Sequence, residues 1–243
     1  QSMVEGPVTQ LGLFTEGQDS AAGAGLPAGE YQAIDSAEAL DALIGKLAGA
    51  KMLAVDTETT GTDAMRAELV GISLAAEPGV AYYLPVGHDE RLRPGEQLDL
   101  ATVRHKLGPV LADPSIPKVC HNAKFDMMVL AQHGLPLGGL CDDTMLAAWL
   151  LEPEGRGVSL KNQAWLRLNI EMTSIDELIG RGKGQIRMDQ VSVARVAPYA
   201  CADADMTLRL CGVLQRELQE RDSGSSTPRS RCHWYPSWRA WRS

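Results

Sequence analysis

The run Met52-Leu53-Ala54-Val55 leads straight into Asp56-Thr57-Glu58, and no other stretch restricts the fold so tightly. A short apolar run bounded by polar residues reads as a buried strand. Side chains alternate across a strand, so carboxylates at i and i+2 leave from one face and their oxygens converge. Two such charges at the end of a buried strand repel each other unless something cationic joins them. A hard divalent metal with oxygen ligands meets that requirement. The simpler alternative is a strand end whose acids face solvent, and the rest of the chain decides between the two.

The chain has 243 residues, of which 44% are hydrophobic, enough for one α/β domain with a sizeable core. Its five cysteines, Cys120, Cys141, Cys201, Cys211 and Cys232, are odd in number and contain no C-x-x-C pair. That argues against a disulfide framework and a zinc cluster, and fits a reducing cytoplasm. No signal-like start and no apolar run of bilayer length is present, so a soluble protein is expected. The net charge of −8 does not exclude work on nucleic acid, because metals held by carboxylates create a locally positive site.

Residues 1–29 are rich in Gly, Ala, Ser and Gln without periodicity and read as a flexible linker. A start at Gln1 points to a piece of a longer chain. Residues 31–34 read as a short strand, and Ser36 caps a helix carrying Leu40, Leu43, Ile44 and Leu47 on one face. After the Asp-x-Glu strand, residues 69–76 and 80–86 form two more strands joined by Glu77-Pro78-Gly79, which has the residues of a type II turn. These three are expected to form an antiparallel meander. Helices are expected over 100–111 and 124–133 with a short strand at 118–120 between them, then over 143–151, 159–166, 174–179 and 195–221. Pro198 is tolerable in the last of these only within its first turn. The basic, glycine-rich loop 180–184 could touch phosphates, but it lacks the full P-loop pattern and reads rather as a surface connector.

From 222 to 243 the chain turns Ser-rich, then places Arg229, Arg231, Arg239 and Arg242 among Trp234, Trp238 and Trp241. Such a tail could stack on single-stranded nucleic acid. Codons can be chosen for 231–239 that read, one nucleotide out of frame, as an ordinary helical segment, so the tail reads as a frameshift product without an evolved role.

Two further acidic positions complete a pattern. Asp126 follows His121-Asn122-Ala123-Lys124-Phe125, and Tyr199 and Asp203 share a helix face at i and i+4. At this point the sequence resembles the proofreading 3′–5′ exonuclease domains of bacterial family A DNA polymerases, the tyrosine subclass of the DEDD nucleases. Carrying the resemblance are Val55-Asp56-Thr57-Glu58-Thr59, Leu69-Val70-Gly71-Ile72-Ser73, Glu77-Pro78-Gly79-Val80-Ala81, His121 to Asp126, and Tyr199-Ala200-Cys201-Ala202-Asp203-Ala204-Asp205. It covers residues 31–221 and implies a domain over 30–221 with the ribonuclease-H-like fold, a mixed α/β sheet flanked by helices.

The resemblance further implies phosphodiester hydrolysis with two divalent ions, Mg²⁺ or Mn²⁺, about 4 Å apart. Asp56, Glu58 and Asp203 would hold the first ion. Asp56 would also bridge to the second, with Asp126 contributing through its waters. Tyr199 would orient the attacking water, and Asn122 and Phe125 would hold a single-stranded or frayed DNA 3′ end. The resemblance also implies a polymerase domain of the same parent chain as partner, expected to lie outside this sequence. In this pattern His121 lines the core or groove rather than binding metal, and Asp205 is a solvated or structural acid. The chain departs from the family at Thr62, where a leucine wedge is usual, and at Ile175, where an aromatic is usual. Both weaken stacking, each base–aromatic contact being worth about 1–3 kcal/mol. An exoribonuclease of the ribonuclease D type shares these acids, but Glu77-Pro78-Gly79 and the 122–126 segment favour DNA. An inactive remnant supporting a polymerase is the third reading, yet decay removes carboxylates first, and Asp56, Glu58, Asp126 and Asp203 are all present.

Overall fold

The structure, a computed structural model, describes residues 29–89, 91, 97–155 and 157–223. The expected linker, apart from Gly29, and the expected tail beyond Ser223 lie outside the described residues.

The elements in order are β1 (Glu30–Ala33), α1 (Ala37–Leu47), β2 (Leu53–Thr59), β3 (Leu69–Glu77), β4 (Val80–Pro85), α2 (Leu100–Lys106), α3 (Gly108–Ala112), β5 (Lys118–Cys120), α4 (Ala123–Gln132), β6 (Leu140–Asp143), α5 (Thr144–Leu151), α6 (Leu160–Leu168), α7 (Ile175–Ile179) and α8 (Val193–Ser223). The sheet runs β1-β4-β3-β2-β5-β6. The Asp-x-Glu strand β2 pairs antiparallel with β3, and β3 with β4, so the meander forms as expected. It comprises the second to fourth strands, because β1 also enters the sheet and lies parallel to β4. On the other side β5 is parallel to β2, and β6 to β5.

Strand alternation divides the core in two. Leu53 and Val55 of β2, Ile72 and Leu74 of β3, and Tyr82 and Leu84 of β4 join a cluster with α1 to α4. Ala54, Ala75, Ala81 and Tyr83 join the opposite cluster with α8, through Ala197, Ala200 and Ala204. Small residues on both surfaces let α8 lie close against the sheet. The same economy of space appears at Gly71, where a Cβ would fall 2.2 Å from the Tyr83 hydroxyl.

The structure corrects four expectations. The helix expected over 100–111 breaks at Leu107 into α2 and α3, since Pro109 cannot donate to the preceding turn. Strand β6 was not expected, because Leu-Cys-Asp-Asp lacks β-branched and aromatic residues and pairs only through the parallel β5. Asp143 caps α5 rather than opening it, its carboxylate accepting from the Met145 and Leu146 amides. Helix α8 begins at Val193, so Pro198 lies within the helix and not in its first turn.

Candidate metal centre

Alternation along β2 decides what its acids face. Asp56 and Glu58 share the parity of Ala54 and point toward α8, whereas Thr57 points to the other side with Leu53 and Val55. Asp203 projects from α8 to meet the first pair. Carboxylate oxygens of Asp56, Glu58 and Asp203 lie within 4.8 Å of one another, a grouping able to hold a metal ion. The β2–β3 register shifts between Glu58 and Thr59, and such irregularities re-aim side chains beside functional sites.

Asp126 approaches differently. Thr57 donates to its Oδ1 at 2.7 Å, which ties the first turn of α4 to the face of β2 opposite Asp56. Asp126 is buried and feels the charge of Asp56, but it stands outside the close trio.

These acids lack a countercharge equal to their own. Burial pushes the Asp56 carboxyl up to about 7, against the opposing hydrogen bond donated by Ser73 at 3.3 Å. Burial, and then the charges of Asp56, Asp203 and Asp126, hold Glu58 well above the ordinary range. Asp203 is raised by burial and by Asp56, and its Oδ1 is buried without a hydrogen-bond partner. Buried polar atoms in folded proteins almost always find partners, so an orphan oxygen among mutually repelling acids calls for a cation. An all-oxygen donor set suits a hard divalent ion, and the residues present fit one.

Tyr199 precedes Asp203 by one turn, and its hydroxyl interacts with that carboxylate. Burial and the neighbouring acids raise its pKa, so it stays a phenol and keeps a proton to donate. Asn122 adopts a left-handed backbone, φ 74°, before α4. Its amide and that of Ala123 donate to Asp143 at 3.1 and 2.8 Å. Phe125 packs partly against the main core cluster. His121 shares a 2.8 Å hydrogen bond with Thr144, and burial lowers its pKa to about 4, so the ring is neutral at pH 7. Asp205 is completely buried and therefore not solvated.

Sequence reasoning missed Asp143, which clasps the starts of α4 and α5 together. It also missed Thr57, whose parity between the two acids was the available signal, and Lys161, whose ammonium stands 5.1 Å from the Tyr199 ring centre. Met65, 65% exposed, offers a large apolar side chain three residues after Thr62.

A mixed sheet with helices on both faces and carboxylates gathered at its central strand is the ribonuclease-H-like exonuclease architecture. The chain belongs to the 3′–5′ exonuclease family of family A DNA polymerases, which it matches over residues 31–219. It is 41% identical to the DNA polymerase I of Chloroflexus aurantiacus over 213 residues, 87% of this chain and 22% of that one. With the DNA polymerase I of Pseudomonas aeruginosa it shares 36% identity over 192 residues, 78% of this chain and 21% of that one. The chain thus spans about a fifth of the length of these relatives. Among solved structures, the polymerase of M. smegmatis in complex with DNA primer-template and dNTP superimposes with a TM-score of 0.58 at 26% identity, over 79% of this chain and 28% of that one. Escherichia coli RNase D, an exoribonuclease, shares the fold, with a TM-score of 0.57 at 23% identity over 81% of this chain and 47% of its own. Among the described residues no helix is long and apolar enough to cross a membrane.

Proposed function

We propose that this chain removes nucleotides from single-stranded or frayed DNA 3′ ends, in the cytoplasm, as the exonuclease part of a longer DNA polymerase I. The observation that carries the reading is the convergence of Asp56, Glu58 and Asp203, with a buried Asp203 oxygen left unpartnered. Asp56, Glu58 and Asp203 would hold one divalent ion, Mg²⁺ or Mn²⁺, and Asp56 would take part in holding a second, with Asp126 contributing through its waters. Such ions supply a nucleophile near neutral pH and relief of charge on the leaving oxygen.

The chain's own groups do the rest. Tyr199, kept protonated by its surroundings, donates toward the carboxylate site and orients the attacking water. Thr57 fixes Asp126, and the Asp143 clasp sets the first turn of α4 that carries it. Asn122 and Phe125 stand at that same turn to receive the terminal nucleotide. Thr62 contributes little stacking, while the exposed Met65 and Ile175 offer apolar surface to an unstacked base.

The test is release of mononucleotides from a 3′-mismatched DNA primer and from an RNA strand of matched sequence, with Mg²⁺ or Mn²⁺. The expected result is metal-dependent release from DNA that falls more than about 100-fold in Asp56→Ala, as loss of a metal ligand requires. A clear preference for RNA would replace this reading with an exoribonuclease, and no release from folded protein would leave a structural remnant.

A further inference from the structure

Lys161 is the second residue of α6, directly after Leu160 and the Ser159 cap. A cation there opposes the helix dipole, which favours negative charge in the first turn. The position makes sense only through what lies opposite. Helix α6 packs on α8 through Leu160, Ala164, Met206 and Leu210, so its first turn is fixed relative to Tyr199 and Asp203. The Lys161 ammonium stands over the Tyr199 ring at 5.1 Å. Tyr199 and Asp203 are one turn apart on α8, so the ammonium stands beside the turn that carries the carboxylate cluster's third acid. Among the described residues it makes no hydrogen bond or ion pair that would give it another employment.

We infer that Lys161 is a positioning residue of the nuclease site: its ammonium holds the Tyr199 ring in place and balances the carboxylate cluster before metal and DNA arrive. The inference rests on the exonuclease reading for its kinetic half and on the placement of the ammonium at the Tyr199–Asp203 turn for the other. With the charge removed and the stem kept, as in Lys161→Met, two effects follow in opposite directions. The cluster becomes more negative and binds divalent cations more tightly. Tyr199 loses the partner that steadies its ring, and turnover slows. A residue that merely packed α6 against α8 would weaken both properties or neither.

The experiment compares wild type, Lys161→Met and Lys161→Arg in two measurements: calorimetric Mn²⁺ titration without DNA, and steady-state mononucleotide release. For Lys161→Met the expected result is Mn²⁺ affinity raised about threefold and kcat lowered about tenfold, with KM for the primer within about twofold. Lys161→Arg should return kcat to within about threefold of wild type, since a guanidinium also sits over an aromatic face. Unchanged or weaker Mn²⁺ binding in Lys161→Met, or a kcat within about twofold of wild type, overturns the inference. If the wild-type chain releases no nucleotide, the exonuclease reading fails, and the Mn²⁺ titration still decides the charge balance.

Discussion

Asp203 and Asp205 sit two residues apart on α8, about 200° around the helix from each other, and meet opposite surroundings. Asp205 is wholly buried and fully partnered. It accepts from the Tyr31 hydroxyl at 2.9 Å, the Gly79 amide at 2.8 Å and Arg209 Nε at 2.8 Å, so it ties β1 and the β3–β4 turn to the long helix. Asp203 faces two other acids, Asp56 and Glu58, and keeps a buried oxygen without a partner. Burial therefore does not mark a functional acid. Satisfied, a buried carboxylate holds the fold together; unsatisfied and crowded, it costs stability until a cation arrives.

The largest expected effect comes from breaking the satisfied side. Asp205→Ala leaves the partly buried Arg209 guanidinium, the Tyr31 hydroxyl and the Gly79 amide without their acceptor and should cost about 3–5 kcal/mol, measured by urea unfolding. Asp203→Ala should do the reverse, leaving stability unchanged or higher because a repulsive charge is gone, while nucleotide release falls more than about 100-fold. Equal destabilisation by the two would erase the contrast.

Next in size is a pH dependence of the metal-free protein. The folded pKa of Asp56, about 7, lies above the ordinary carboxylate value of about 3.9. Between those two values the native state holds a proton that the unfolded chain has released. This contribution is therefore fully present below about pH 4 and is lost as pH rises through about 7. Thermal melts in chelator across that window should show the decline, and Asp56→Asn should make it shallower, the raised Glu58 and Asp203 carboxyls keeping the remainder. Saturating Mg²⁺ should flatten it in the wild type.

A smaller effect is expected at the clasp. Asp143→Ala removes the acceptor for amides at the starts of both α4 and α5 and should cost about 2 kcal/mol. It should also slow nucleotide release, since α4 carries Asp126. Ser73→Ala is the mildest, removing one donor to Asp56 at a cost of about 1 kcal/mol in chemical denaturation.

The same contrast explains what could be read from the sequence. The β2 strand and its converging acids were legible because alternation is a local rule, and the β3–β4 turn because Pro78 and Gly79 fix it. The family resemblance supplied Asp126, Tyr199 and Asp203 as a set, which no spacing rule assembles. Asp205 reads from the sequence as solvated or structural, and the structure makes it structural; the sequence leaves the two open because its partners Tyr31 and Gly79 lie 174 and 126 residues away in the chain. Asp143 and Lys161 escaped notice for the same reason, since each acts on another element. Strand β6 was missed because its pairing, not its composition, makes it a strand.

The central claim is that the acids around Asp203 are left unsatisfied to receive a metal, whereas Asp205 is not. The most direct test is the melting temperature of wild type, Asp203→Asn and Asp205→Asn at pH 7.5, with and without saturating Mn²⁺. The account predicts a rise of about 5 °C in wild type, retained in Asp205→Asn from its lower starting point and largely lost in Asp203→Asn. A rise in Asp203→Asn equal to that of wild type, or none in wild type, would contradict it.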